Sequence, residues 1–267
     1  MALPFAPPAS LSPSFVIARC DAGDVDDMCD IYYEAFKEDP GNSHWWSPDR
    51  RHMQAWMQRR MVRKLGDAGM RHFKIADAES GAMVAFARWD IPERSGHFGE
   101  WLGQPPVDVT RIVEEEPEKP KDAEQEVAAS APVAEPKQQK YADNDVPDGA
   151  DPFLCQNFFS ALTKASEKWY TKDMLGLSLI CTSPHHHRRG AAKALIVPML
   201  DLADSHGITT YLEATPAGKP IYERLGFRQV DSLNFDLGEL TKNDLAGWYR
   251  LSIMTRQPRG GEQANQQ

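Results

Sequence analysis

Between residues 180 and 222 the chain gathers the side chains best suited to chemistry. His185-His186-His187-Arg188-Arg189-Gly190-Ala191-Ala192 is basic at first and then small. A strand that feeds a glycine-containing turn into a helix makes an anion site. The first-turn N–H groups lack partners there, and the positive end of the helix dipole adds to them. Gly190 lets the backbone approach a ligand with no Cβ in the way. Ala191 and Ala192 keep the next turn small, and Arg188 and Arg189 add positive charge. Together these suit a pyrophosphate; the alternative for such a turn is a solvated helix start. Tyr222 carries a phenol of ordinary pKa about 10, protonated near neutrality and able to donate a proton. Its alternative is a core tyrosine in a helix. Glu213 is the best single carboxylate. It is a general base, a cap for Thr215-Pro216, or a member of an internal pair. Three adjacent histidines cannot all face one ion, and no Cys or acidic partner stands at ligand spacing, so no metal site is expected at His185–His187. Cys181 has no triad partners and apolar strand neighbours, which reads as an inert packed thiol.

The elements that must position these residues follow from periodicity. Leu175 to Thr182 is an apolar run of strand length. From Ala191 to Ala203 apolar residues recur at helical spacing. Ile208 to Leu212 reads as the next strand, and a segment through Tyr222 ends at the turn at Gly226. Upstream, Phe15 to Ala18 reads as an edge strand and Asp24 to Phe36 as a helix capped by Asp24. Ser47-Pro48-Asp49 opens a second helix that runs to about Gly66. His72 to Ala78 and Ala82 to Ile91 form a hairpin around Ser80-Gly81, and Phe153 to Trp169 is helical. Ser232 to Leu237 and Trp248 to Met254 are the last strands. Trp45 and Trp46 fall in a loop. Two adjacent tryptophans do not easily both point inward, so this pair is expected to be exposed and to line a ligand pocket. Trp89 reads as core.

Bulk properties narrow the function classes. The chain has 267 residues, net charge −9 and 41% hydrophobic content, enough for one large core. From Asp108 to Asp151 there are 13 acidic residues against 5 basic ones, so nearly all the excess charge lies there. The rest is close to neutral, which argues against nucleic acid as a partner. Four scattered cysteines fit free thiols in a reducing compartment. The Pro- and Ser-rich start is not a signal peptide, and no apolar run reaches membrane-span length. A soluble cytoplasmic protein without a membrane partner is expected, monomeric or homodimeric. Residues 1–13 and 257–267 read as disordered ends. Residues 14–256 read as one domain, and residues 104–150 as a low-complexity, disordered acidic insert within it. A split into two domains is rejected, since neither half would hold a complete sheet.

Over Met174 to about Val230 the sequence resembles the GCN5-related N-acetyltransferase (GNAT) superfamily. That family's pyrophosphate loop reads Gln/Arg-x-x-Gly-x-Gly/Ala; here His187-Arg188-Arg189-Gly190-Ala191-Ala192 matches the Gly and the final small residue and departs at His187. YLEATPAGKPIYERLGF resembles the family's next strand, helix and Gly-Phe turn, with Tyr222 at its tyrosine position. The resemblance implies an α/β (α+β) fold, a mixed, mostly antiparallel central sheet flanked by helices. It implies acetyl-CoA as co-substrate, no metal, and acetyl transfer to a primary amine of a small molecule or protein by direct attack on the thioester. Main-chain groups of Ile180, Cys181 and Thr182 would then pair with the pantetheine arm beside a strand bulge, and a backbone N–H there would face the thioester oxygen. His187 to Ala192 would take the pyrophosphate, and Thr215 stands where many members place a cofactor-contacting Asn. Tyr222 would be the general acid, Glu213 or an ordered water the base, and Trp45 and Trp46 would line the acceptor pocket. Two other classes stay open: a non-catalytic acyl-CoA-binding module, and an interaction protein working through the acidic insert.

Overall fold

The computed structural model of this chain describes residues 3, 5–9, 11–93, 107–109 and 145–260. Among them, seven strands form one sheet: β1 (Phe15–Arg19), β2 (Met70–Asp77), β3 (Met83–Asp90), β4 (Leu175–Thr182), β5 (Thr210–Ala214), β6 (Arg228–Asp236) and β7 (Trp248–Arg256). Their order is β1-β2-β3-β4-β5-β7-β6, and every neighbouring pair is antiparallel except β4 with β5. A parallel pair needs a crossover. The helix Ala191–Ser205 supplies it. The sheet takes strands from both sides of the acidic segment, and the mixed, mostly antiparallel architecture is the expected one.

The seven helices in chain order are α1 (Val25–Phe36), α2 (Pro40–Ser43), α3 (Arg50–Leu65), α4 (Pro152–Trp169), α5 (Ala191–Ser205), α6 (Lys219–Arg224) and α7 (Leu237–Leu240), counted among the described residues. On one face of the sheet Ala191, Ala194, Leu195 and Met199 of α5 pack with Val84, Ala87, Trp89, Leu175 and Leu177. On the other face Met28, Trp45, Trp56, Met57 and Phe158 pack with Phe86, Cys181 and Phe235. Burying both faces is what lets β3 read as a nearly continuous apolar run. All four cysteines are free and buried. Among the described residues no helix is long and apolar enough to cross a membrane.

Several local expectations are corrected. The side chain of Asp24 makes no cap bond to α1. It accepts instead from the Asp21 amide at 2.7 Å and from Lys74 Nζ at 2.6 Å, while Asp21 caps the short 3-10 turn ahead of the helix. Helix α3 is capped by Asp49, whose Oδ1 accepts from the Arg51 amide at 2.9 Å, so Ser47 and Pro48 lie outside it. The strand expected at Ile208–Leu212 is shifted to Thr210–Ala214, and β6 begins at Arg228, before Ser232. Within the N-terminal 1–13, expected to be disordered, Leu3, Phe5 and Leu11 pack against the α5-side cluster, with the Phe5 ring 5.2 Å from Phe73. Of the expected insert at 104–150, residues 104–106 and 110–144 lie outside the described residues. Its described ends are docked. Val107, Val109 and Val146 pack against the α1/α3/α4 cluster, and Trp56 Nε1 donates to the Asp145 carbonyl at 2.7 Å.

Candidate active site

The sheet opens at its centre. β4 pairs with β5 only over Leu175–Leu177, opposite Thr210–Leu212. At the next residue the β3–β4 register slips: Trp89 faces Leu177 while Arg88 faces Leu179, which leaves Ser178 as the extra residue of a bulge. The Ser178 hydroxyl is held there, accepting from Arg88 Nε at 3.0 Å and donating to Asp90 Oδ1 at 2.9 Å. A one-residue slip exchanges faces. Leu175 and Leu177 pack toward α5, whereas Leu179 and Cys181 pack toward α1 and α3.

The slip also re-aims the backbone. The Ser183 amide donates to the Val84 carbonyl at 2.9 Å. Antiparallel ladders alternate bonded and non-bonded pairs, so Cys181 and Leu179 also turn their amides and carbonyls to β3. Those of Ile180 and Thr182 face away from β3, into the gap left where β5 stops pairing. Of the three residues expected to offer main-chain groups, Ile180 and Thr182 are turned to the gap and Cys181 is not.

The strand leads into the basic loop. His187 Nε2 donates to the Thr182 carbonyl at 3.1 Å, so this histidine braces the loop against the strand end. Arg189 is bound up in packing. It donates to His186 Nδ1 at 2.8 Å and lies 4.5 Å above the Phe15 ring. Arg188 is exposed, with φ +62°. Gly190 has φ +85° and stands at the N-cap of α5, where no side chain caps the first turn. The amides after Gly190 are therefore left for a ligand or water. Ala191 is buried in the α5-side core cluster. Among the described residues no group of three or more His, Cys, Asp or Glu is arranged to hold a metal.

Tyr222 lies on α6, on the α5 side of the sheet, with its ring 5.8 Å from Phe227. The sequence Tyr222-Glu-Arg-Leu-Gly-Phe fixes it there. The Phe227 amide donates to the Tyr222 carbonyl at 3.0 Å, and the Gly226 amide to the Glu223 carbonyl at 3.1 Å. With Gly226 at φ +94°, this is a Schellman cap whose hydrophobic contact is the Tyr222–Phe227 pair itself. Arg256, 3% exposed, clamps the same turn by donating from Nε to the Leu225 carbonyl at 3.0 Å. Its guanidinium is held in two bonds to Asp204 at 2.7 and 2.6 Å. Burial works to raise the Asp204 carboxyl, but the Arg256 guanidinium together with the Arg259 amide and charge hold that carboxyl below its ordinary range. Burial, and then the nearby Cys181 thiol, push the Tyr222 phenol well up, so it keeps its proton across the working pH range.

Glu213 and Tyr222 lie on opposite faces of β5. Leu212 and Ala214 pack with Tyr222, whereas the buried Tyr211 faces α4 and donates from Oη to Glu213 Oε1 at 2.8 Å. Of the three readings for Glu213, the internal pair is thus realised, with the carboxylate half-buried at the strand end. The cap belongs to Thr215, whose Oγ1 accepts from the Gly218 amide at 3.1 Å at the start of α6. That leaves the Thr215 hydroxyl proton to offer a ligand.

The expected exposure of the tryptophan pair is wrong. Trp45 is 1% exposed and Trp46 9%. The chain after α2 continues turning, with Trp45 and Trp46 amides bonded to the Asn42 and Ser43 carbonyls at 3.4 and 3.2 Å. Helical rotation then sends adjacent rings in different inward directions. Trp45 stacks on Phe158 at 5.4 Å, and Trp46 meets Tyr33 at 5.4 Å. Neither ring forms an open wall. Beside them, His44 lines a cavity of about 370 Å³ with Asp151, Leu154, Leu240, Thr241, Lys242, Asp244 and Leu245. Sequence reading did not single out these residues. The helix-compatible Asp39-Pro40-Gly41 start, with Asp39 capping the Gly41 and Asn42 amides at 3.1 Å, was the available signal.

Residues 168–238 match the model of the acetyltransferase (GNAT) domain. Among solved structures, a Corynebacterium glutamicum protein named as histone acetyltransferase HPA2 and related acetyltransferase is similar in fold, with TM-score 0.50 and 19% identity over 92% of this chain and 97% of that one. The ribosomal-protein-S18-alanine N-acetyltransferase of Escherichia coli aligns with TM-score 0.47 and 14% identity, over 93% and 97% of the two chains. The PaiA N-acetyltransferase of Thermoplasma acidophilum, solved in complex with coenzyme A, aligns with TM-score 0.45 and 10% identity, over 91% and 99%.

Proposed function

We propose that this chain, with a GNAT-like fold and a GNAT domain match over residues 168–238, is an acetyl-CoA-dependent N-acetyltransferase acting on a primary amine. The observation that carries the reading is the gap between β4 and β5. Pairing ends at Leu177, and the bulge at Ser178 turns the main-chain groups of Ile180 and Thr182 toward it, the Thr182 carbonyl also accepting from His187. The strand then leads through a 3-10 turn at Pro184–His186 and the basic loop into the Gly190-opened helix. An extended arm with a diphosphate at one end suits a bare strand edge followed by unpaired helix amides.

Acetyl-CoA, when bound, supplies a thioester acetyl group. Ile180 and Thr182 would pair its arm, and the amides after Gly190, with exposed Arg188, would hold its diphosphate. During transfer the amine must lose a proton and the departing sulfur must gain one. Tyr222 Oη, kept neutral by burial, would donate the second. Glu213, on the opposite face, or a water it holds takes the first.

A thiol-release assay with acetyl-CoA and a panel of amines tests the proposal. Release that depends on both the amine and Tyr222 is expected. Coenzyme binding without release for any amine would instead make the chain a binding module, and no coenzyme binding would overturn the reading.

A further inference from the structure

Arg88 is a cation that the coenzyme site does not use. On β3 its neighbours Ala87 and Trp89 pack toward α5, so strand alternation turns Arg88 to the α1/α3/α4 face. There it is half-buried. Its Nε donates to the Ser178 hydroxyl at 3.0 Å, and Asp90 is linked to it through that same hydroxyl. Among the described residues nothing accepts from its two terminal nitrogens, and no carboxylate forms an ion pair with it. His72, directly opposite on β2, is buried, and burial with the Arg88 charge keeps its ring well below the ordinary range. A neutral imidazole supplies no counter-charge.

Two more cations crowd this spot. Lys64, in the last turn of α3, is half-buried, and its ammonium has no hydrogen bond or ion pair among the described residues. Burial first, and then the Arg88 charge, bring it down to about 8. Arg60, one turn earlier, lies 4.6 Å above the Trp56 ring. The carboxylate it meets, Asp145 at 3.8 Å, is shared with Arg59 and Arg63 at 3.7 and 3.6 Å. A face lined by one sign of charge draws in the opposite sign. An arginine whose two outer nitrogens are open takes a carboxylate in two parallel bonds.

The register sets this cation against the proposed chemistry. Leu177 is the last β4 residue paired on both sides, with Trp89 of β3 and Leu212 of β5. One step beyond, Arg88 and Glu213 stand level on the two flanking strands, with the Ser178 bulge between them. Trp89 and Leu212 pack toward α5, so Arg88 and Glu213 share the other face. Two strand spacings separate their backbones, about 10 Å. The gap between β4 and β5 opens in the same row. The floor beside it is polar. Asp90 Oδ2 and the Tyr170 ring both come within 3.2 Å of where a Cβ on Gly176 would stand, and Tyr170 lies 5.3 Å from Tyr211, which bonds Glu213. With the Arg88 and Glu213 side chains reaching in from each end, the span suits a molecule whose carboxylate and amine are close together.

We infer that the acetyl acceptor is a small amino acid, its carboxylate held by the outer nitrogens of Arg88 with Lys64 and Arg60 behind them, and its amine pointing across the gap toward Glu213. The amino acid's role as acceptor rests on the function proposed above; the carboxylate site does not. In transfer the amine nitrogen bonds the acetyl carbon as the carbon–sulfur bond breaks. The amine's proton passes to Glu213 or a water, and the sulfur takes one from Tyr222.

Calorimetry on the full chain tests it, with and without coenzyme A, using the common L-amino acids and the carboxamide of each one that binds. In Arg88→Gln the side-chain nitrogen falls where Nε stood, so the Ser178 bond is kept and only the outer nitrogens are lost. An amino acid should bind the wild type, and its carboxamide should bind at least about ten-fold more weakly, the loss of charge-assisted bonds. Arg88→Gln should weaken the amino acid by a similar factor without weakening the carboxamide, a difference that a merely structural role would not produce. Lys64→Gln breaks no bond; it should weaken the amino acid about two- to five-fold and carries the test if Arg88→Gln does not fold. Coenzyme affinity should be the same throughout. Equal binding of acid and carboxamide, equal losses for both in Arg88→Gln, or no amino acid bound overturns the inference; thiol release with other amines would then leave the function standing. Amino-acid binding of the expected pattern in a chain that binds no coenzyme would keep the site and remove its role in holding the acceptor.

Discussion

Substituting Gly190 by Ala separates backbone conformation from every other effect. A Cβ built at Gly190 meets nothing within 4 Å, so no steric contact is added. The cost comes from φ +85°, a left-handed conformation worth about 1–2 kcal/mol against an L residue. For a chain of this size that lowers Tm by about 2–4 °C per kcal/mol. Gly207 provides the control. It stands at the other end of the same helix with φ +65° and also meets nothing within 4 Å. Gly207→Ala should lose a similar amount of stability and keep its coenzyme affinity. Gly190→Ala should lose stability and, in addition, raise the coenzyme Kd about ten-fold, because rotating the peptide to relieve strain swings charge-assisted amides off the diphosphate. Gly190→Asn, which tolerates the left-handed region, should fall between. Thermal unfolding and calorimetry read both quantities. Equal coenzyme affinity in Gly190→Ala and Gly207→Ala would refute the placement of the diphosphate.

Three further outcomes follow from the same geometry. Tyr222→Phe should lower kcat by about 100-fold or more while coenzyme Kd and Tm stay near wild type, since the variant keeps the ring that packs on Phe227; unchanged kcat in steady-state kinetics would remove the phenol from the reaction. Asp204→Asn should destabilise by about 3 kcal/mol in urea unfolding, because Arg256, 3% exposed, is left without its counter-charge. A loss under 1 kcal/mol would mean Arg256 is better solvated than its burial indicates. Stability should rise from pH 6 to 8, as the unfolded chain's His44 and His72, which burial keeps below their ordinary pKa in the fold, lose their protons, and it should fall above about pH 9. Burial raises Cys155 to about 11, and Cys29 and Tyr32 to about 12, so the unfolded chain releases these protons first and folding stability is lost as pH rises through those values. Stability rising between pH 9 and 11 would contradict that burial.

Local chemistry made much of the site legible. The Leu-Gly-Phe turn after Tyr222 encodes a Schellman cap within six residues, and Gly190 before two alanines encodes the opening of α5. Both are short-range, set by which residues accept φ > 0. What stayed hidden depends on partners far along the chain. Ser178 gives no sign of a bulge, because the slip is a relation between β4 and β3, about 90 residues apart. The same slip turns Cys181 away from the gap while its neighbours face it. The exposure expected of Trp45 and Trp46 failed because it treated the segment as a loop; a continued helical turn sends both rings inward. Asp49 displaced Ser47 as the cap of α3 although both are capping types; the Ser47 hydroxyl instead accepts from the Asp49 amide at 3.3 Å, one step before the helix.

A crystal structure of the chain with acetyl-CoA tests the central claim most directly. The account predicts the diphosphate against the amides that follow Gly190, with the arm running along the gap and bonded to main-chain groups of Ile180 and Thr182. A diphosphate bound elsewhere, or an arm that leaves the β4 edge bare beyond Leu177, would contradict it.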